Sequence, residues 1–262
     1  MIGIAGCGRM GRPMLGALRS MGLRAKGFDV VDMDSDWITT DAKRFSADLS
    51  TLITVVRDIE QTEDVLFNVQ NFINSAPKLD RIIICSTSSP RYVRALRPRI
   101  PDQMTLIDAP MSGAQIAAER AELSFMLGGE TADLDDAQVL FASMGKHFHR
   151  MGPFGSGMQS KVLNNMLAAS HTAMTRMVLD WADDAGLDER SLLDLIHTSS
   201  GQNWLASGFN NIEFARDGHA EDNTIGILVK DVASAMDGAP ANADLTAALT
   251  IQKMILDLKP RT

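Results

Sequence analysis

The stretch IGIAGCGRMGRPMLGALRSMG, Ile2–Gly22, joins an apolar run to an amphipathic one through three glycines, Gly6, Gly8 and Gly11. A G-x-G-x-x-G spacing alone is weak, because glycines fall at these intervals in many tight turns. Its surroundings make it specific. An apolar strand precedes it, an amphipathic helix with Pro13 in its first turn follows it, and a second apolar run, AKGFDVV, comes next. In such a strand-turn-helix unit the first glycine makes the turn, the second lets a pyrophosphate approach the backbone, and the third lets helix and strand pack closely. The helix N-terminus supplies oriented N–H groups.

The second run ends in Asp29, 18 residues beyond Gly11. A carboxylate there can accept hydrogen bonds from the adenosine ribose hydroxyls and repels a 2′-phosphate, so the sequence predicts NAD over NADP. Arg9 and Met10, between the second and third glycines, are expected to line the same site. Arg57, after the run TLITVV, pulls the other way. Its guanidinium can serve the shared pyrophosphate or the 2′-phosphate of NADP, or be a solvated partner of Asp58.

Working outward, short apolar runs alternate with amphipathic stretches up to about residue 153: IGIAG, AKGFDVV, TLITVV, RIIICS, TLIDAP and LSFMLGG. Runs without polar alternation are buried on both faces, and helices between them imply a parallel sheet with right-handed crossovers. From Gly157 the period changes to three and four residues, in SKVLNNMLAASHTAMTRMVLDWADDAG and in three later stretches. The expected architecture is an α/β Rossmann-type parallel-sheet domain, residues 1–153, followed by an all-helical domain, residues 154–262. A long interdomain helix joins them.

That long helix carries GSGMQSKVLNN, Gly155–Asn165. Lys161 and Asn165 stand four apart and share a helix face. Lysine is almost never fully buried without a partner, so the face looks either into water or into a site. Asn164 lies off that line and reads as structural.

The chain has 262 residues, 45% hydrophobic and 22% charged, enough for two medium cores. A net charge of -8 argues against nucleic-acid and anionic-membrane partners, which call for clustered basic surface. Neither an apolar span nor a charged leader is evident, and Cys7 and Cys85 are not spaced as a metal pair or a stapled scaffold. A cytoplasmic chain is expected, with no metal site: His147 and His149 alternate on a strand, while His171 and His197 lie on helices.

Four segments, GCGRMGRPM, STSSP at Ser86–Pro90, DAPMSGAQIAAERAELSFMLGG from Asp108 to Gly129, and GSGMQSKVLNN, together resemble the β-hydroxyacid dehydrogenases. They occur in the family's order across most of the chain. The resemblance implies that Lys161 is the catalytic lysine and Asn165 a substrate contact. It implies that Ser112 and Gly113 hold a substrate carboxylate, Thr87 lies beside the nicotinamide end, and Lys230 is a second lysine near the cofactor. Val56 and Arg57 stand where the family often has Leu-Pro.

There are departures: Ala114 and Ala121 occupy places where the family usually has glycine, and an aromatic residue usual before the second lysine is replaced around Asn223 and Thr224. The implied activity is NAD-dependent oxidation of a small 3-hydroxy carboxylic acid to its semialdehyde or keto acid, or the reverse. Lys161 would be the general acid/base, since burial and a neighbouring positive charge such as Lys230 both disfavour an ammonium. The expected partner is a small carboxylate-bearing substrate, in a homodimer or homotetramer. The alternatives are an imine reductase of the same architecture and a non-catalytic nucleotide-binding scaffold. Trp204, in TSSGQNW, either closes over substrate or packs between helices.

Overall fold

The computed structural model describes all 262 residues, which divide into two compact units, Met1–Lys161 and Val162–Thr262. The first holds nine strands: β1 (Ile2–Ala5), β2 (Ala25–Phe28), β3 (Ile38–Thr39), β4 (Thr51–Thr54), β5 (Arg81–Ile84), β6 (Thr105–Asp108), β7 (Met111–Ser112), β8 (Leu123–Gly128) and β9 (Gly145–Gly152). Eight short helices connect them: α1 (Gly11–Ser20), α2 (Ala42–Ser46), α3 (Ile59–Leu66), α4 (Phe72–Ser75), α5 (Pro90–Leu96), α6 (Ala114–Glu119), α7 (Thr131–Asp136) and α8 (Gln138–Met144). The sheet order is β3-β2-β1-β4-β5-β6-β8-β7, with β9 on β8.

The unalternating runs are explained by cores on both faces of this sheet. Ile4, Ile53, Ile83 and Ile107 point to one face, with Met14, Leu18 and Phe141 from α1 and α8. Ala5, Leu52, Ile82 and Leu106 point to the other, under Phe45, Phe72, Val93 and Leu96. Each strand therefore buries consecutive side chains in opposite directions.

The sheet is parallel from β3 through β6. Beyond β6 the expectation of parallel pairing fails, because β8 runs antiparallel to β6 and β7. The connection from β6 to β8, residues 109–122, is long enough for a crossover, but it carries the short β7, whose antiparallel pairing with β8 turns the chain back beside β6. Parallel pairing resumes between β8 and β9.

The second unit is helical. α9 (Ser156–Asp184) begins in the first unit and continues into the second, where α10 (Glu189–Thr198), α11 (Trp204–Gly208), α12 (Thr224–Asp237) and α13 (Thr246–Leu256) follow. Its core gathers Ala173 and Leu179 from α9 with Leu205, Phe209, Ile225, Val232 and Ile255. Arg176 is buried in the same unit and donates to the Ala215, Asp217 and Lys259 carbonyls, which explains a charged residue on the inner face of α9. No helix is long and apolar enough to cross a membrane.

Candidate active site

The glycine loop has the geometry its spacing predicts. Gly6 sits at φ +92°, and a Cβ there would lie 2.6 Å from the Val55 carbonyl oxygen. A Cβ on Gly11 would run into the Gly6 carbonyl oxygen, so this glycine sets how closely α1 approaches β1. Gly8 is the opposite case: nothing lies within 4 Å of where its Cβ would be, and it faces open space. That space belongs to a cavity of about 590 Å³ lined by Gly8, Arg9, Arg12, Met33, Gln115 and Glu119, large enough for part of a dinucleotide. Met10 immediately precedes α1 and packs against the core beneath.

Asp29 follows β2, and its carboxylate accepts from the Cys7 N–H at 2.7 Å and the Val31 N–H at 3.0 Å. The acid therefore fixes the shape of the glycine loop as well as standing at the strand end. Burial, with the Asp29 charge beside it, pushes the Cys7 thiol up to about 12, which leaves it protonated and unreactive. Val56 donates its N–H to Ser86 Oγ at 2.9 Å, joining the ends of β4 and β5. Arg57 is exposed and its backbone N–H bonds Gln61 Oε1, while Asp58 caps α3 by accepting from Gln61 N. Thr87 is partly buried in the loop after β5.

Lys161 is 7% exposed, and its Nζ donates to Ser112 Oγ at 3.2 Å. The question left open by helical spacing is answered for this residue: its face does not look into bulk water. Gly113 and Ala114, next to Ser112, are both exposed. Ala114 and Ala121 adopt left-handed backbone at φ +55° and +54°, the conformation that favours the glycines expected at these places.

In the second unit, Asn165 is 9% exposed and its Nδ2 donates to Asp231 Oδ2 at 2.5 Å. Asp231 is 2% exposed, and Lys230 Nζ stands 3.7 Å from its other oxygen. Asn164 is exposed, off this line, as its spacing predicts. The sequence reading passed over Asp231, although a signal was present. On α12 the buried residues are Ile225, Leu228, Val232 and Ala235, and an acid at position 231 falls on their period. Trp204 begins α11, half exposed, with its ring 5.9 Å from that of Phe214. No cluster of three or more metal-ligating side chains is present.

A mostly parallel sheet with a glycine loop at its first strand, an acid after its second and a buried lysine on the helix that leaves it defines a nicotinamide-dinucleotide dehydrogenase. Residues 1–152 match the family model described as the NAD binding domain of 6-phosphogluconate dehydrogenase. Residues 155–258 match that of the NAD-binding region of NADP-dependent 3-hydroxyisobutyrate dehydrogenase. The chain belongs to the β-hydroxyacid dehydrogenase family. It is 27% identical to the NAD-dependent L-serine dehydrogenase of Pseudomonas aeruginosa, over 97% of this chain and 92% of that one. The rat mitochondrial 3-hydroxyisobutyrate dehydrogenase is 26% identical over 91% of this chain and 75% of its own length. The structure of a Mycobacterium tuberculosis 3-hydroxyisobutyrate dehydrogenase with L-serine superposes with a TM-score of 0.80 at 26% identity, covering 99% and 94% of the two chains.

Proposed function

We propose that this chain oxidises a small 3-hydroxy carboxylic acid to its semialdehyde or keto acid with NAD, or runs the reverse reduction, with Lys161 carrying the hydroxyl proton. The observation that carries this reading is the buried Lys161 ammonium donating to Ser112 Oγ at 3.2 Å. An ammonium in that position has given up most of its hydration and has a short path to a hydroxyl placed beside Ser112. L-serine and 3-hydroxyisobutyrate, the substrates in the relatives' names, are both 3-hydroxy acids, and this common skeleton supports the substrate class.

The glycine loop geometry fits a dinucleotide, with Gly6, Gly8, Arg9, Met10 and Gly11 holding the pyrophosphate end and Val56 and Arg57 at the rim. Bound NAD supplies the hydride acceptor. Asp29 retains lone pairs beyond its two backbone bonds for ribose hydroxyls, which supports NAD over NADP. Thr87 and Lys230 are assigned to the nicotinamide end by the family pattern. Ser112 and the exposed N–H groups at Gly113 and Ala114 hold the substrate carboxylate.

Asn165 is oriented by Asp231: its amide N–H₂ donates to the carboxylate, and its carbonyl oxygen, which accepts a long bond from Asn164 Nδ2 at 3.4 Å, keeps a second lone pair for a substrate hydroxyl. In oxidation Lys161, deprotonated, takes the hydroxyl proton as the hydride leaves carbon. In reduction the ammonium returns it to the forming alkoxide.

The reading places the domain boundary at 153/154, just before α9 begins at Ser156. Exposed Leu163, Leu167, Met174 and Trp181 form an apolar stripe on α9 that supports a homodimer or homotetramer. Two free buried cysteines suit a reducing cytoplasm. A panel of L-serine, 3-hydroxyisobutyrate, 3-hydroxypropionate and glycerate, each with NAD and NADP and followed by reduced-cofactor absorbance, tests the reading. NAD-dependent turnover of at least one acid is expected. Tight NADH binding with no turnover of any acid would favour the scaffold alternative, and turnover of cyclic imines alone would favour an imine reductase.

A further inference from the structure

Asp108 is the last residue of β6 and is fully buried, yet its carboxylate touches no part of the site described above. Its oxygens accept from two backbone groups at the start of α9: the Gly155 N–H to Oδ1 at 2.7 Å, and the Met158 N–H to Oδ2 at 2.5 Å. The residues around it are cut to fit. A Cβ on Gly128 would run into Asp108 Oδ1, and a Cβ on Gly157 would come 3.0 Å from Oδ2 and against the Met126 carbonyl oxygen. A carboxylate is thus held in a cradle that only glycines at 128 and 157 leave open, with α9 pinned at its first turn.

The chain positions give this clamp its consequence. Met158 is three residues before Lys161 on α9, and Asp108 is four residues before Ser112 in the segment leading to β7. One side chain therefore ties together the two backbone segments whose side chains meet in the Lys161–Ser112 hydrogen bond. We infer that Asp108 is a positioning residue for the reaction, fixing the first turn of α9 against the end of β6 so that Lys161 Nζ is held at Ser112 Oγ.

A hydrophobic anchor would resist sliding of the helix poorly, whereas two charge-assisted N–H bonds to one carboxylate fix both its height and its rotation. The cost is a buried charge. Burial raises the Asp108 carboxyl to about 6, against the two N–H bonds and the Arg94 guanidinium on α5, which lower it. The other titratable group facing it is the Cys85 thiol after β5, itself pushed up by burial and by Asp108. A carboxylate kept at that cost in an otherwise apolar layer calls for a reason beyond packing.

The inference rests on Lys161 being the proton carrier, and the test separates the two. Asp108→Asn keeps the shape but turns an N–H₂ toward one of the two backbone donors. Using whichever acid of the L-serine and 3-hydroxyisobutyrate pair turns over with NAD, D108N should lose roughly 10- to 100-fold in kcat, the usual effect of misplacing a catalytic group by about an ångström. NADH affinity, read by fluorescence titration, should stay within about twofold, and KM should change less than kcat. In a Lys161→Ala background D108N should cost nothing further, because a residue acting through Lys161 has nothing left to position.

Wild-type kcat in D108N, or an equal loss from D108N with and without Lys161, would overturn the inference while leaving Lys161 in its role. Full turnover by K161A would instead remove the reading on which it rests. If D108N does not fold, Asp108→Ser, which leaves room for a water between the chain segments, takes its place. Failure of both to fold would mark the carboxylate as structural and also overturn the inference.

Discussion

Replacing Ala114 and Ala121 by glycine should make this protein more stable, although both changes remove a methyl group. Each alanine sits at φ near +55°, where its Cβ crowds the following carbonyl. The left-handed conformation costs an ordinary residue roughly 1–2 kcal/mol, and the extra freedom of glycine in the unfolded chain returns about 0.5–1 kcal/mol of that. A net gain of about 0.5–1 kcal/mol per site follows. Ala114 opens α6 and Ala121 follows its end, so the strain at each is local, and the double variant should approach about 1–2 kcal/mol, or roughly 2–8 °C in Tm at about 2–4 °C per kcal/mol for a protein of this size. Differential scanning calorimetry on the two single variants and the double reads the effect. Ala118→Gly is the internal control: Ala118 lies in the same helix, is buried and has a right-handed backbone, so the same chemical change should destabilise by about 1 kcal/mol. Destabilisation at all three positions would refute the argument that backbone handedness decides the sign.

Other outcomes follow from the same geometry. Asn165→Ala should lower stability by about 1.5–3 kcal/mol in urea unfolding, because Asp231 loses its donor while remaining buried. Asp29→Asn should raise kcat/KM with NADP relative to NAD by roughly tenfold, the effect of removing one charge near a 2′-phosphate at intermediate dielectric. Asp108 also gives stability a pH dependence whose sign is set by its raised carboxyl. Between about 4 and 6 the folded chain keeps a proton that the unfolded chain has lost, so Asp108's contribution is fully present below about 4 and lost as pH rises through 6. The change is about 3 kcal/mol at most. Urea titrations at pH 4 and pH 7 should show the wild type losing this increment, and D108N lacking it.

The alternation of apolar runs with amphipathic stretches was enough to read β1, β2, β4, β5 and β6, because each is buried on both faces and the connections among them are long enough for a crossover, whereas the two-residue, half-buried β3 carries no apolar run of its own. The reversal at β8 was not legible, since LSFMLGG has the same composition as a parallel core strand and differs only in what precedes it. Lys161 and Asn165 were readable as a pair from their spacing, and their burial supports a site rather than a solvated face. Asp231 escaped because acids on a helix are usually solvated, and only its place on the apolar period of α12 sets it apart. Asp108 escaped for a related reason: in TLIDAP it reads as the end of an apolar strand, and its two N–H partners lie 47 and 50 residues away. Sequence spacing reports local faces, whereas both of these acids are defined by partners brought together by the fold.

In the proposed reaction Lys161 is the residue on which proton transfer depends. The most direct test is the turnover of Lys161→Ala with NAD and an acid that the wild type oxidises, alongside NADH affinity measured on the same preparation. kcat should fall by about 10²- to 10⁴-fold, the usual contribution of a general acid/base, with NADH affinity unchanged. Turnover within a few-fold of the wild type would contradict that role.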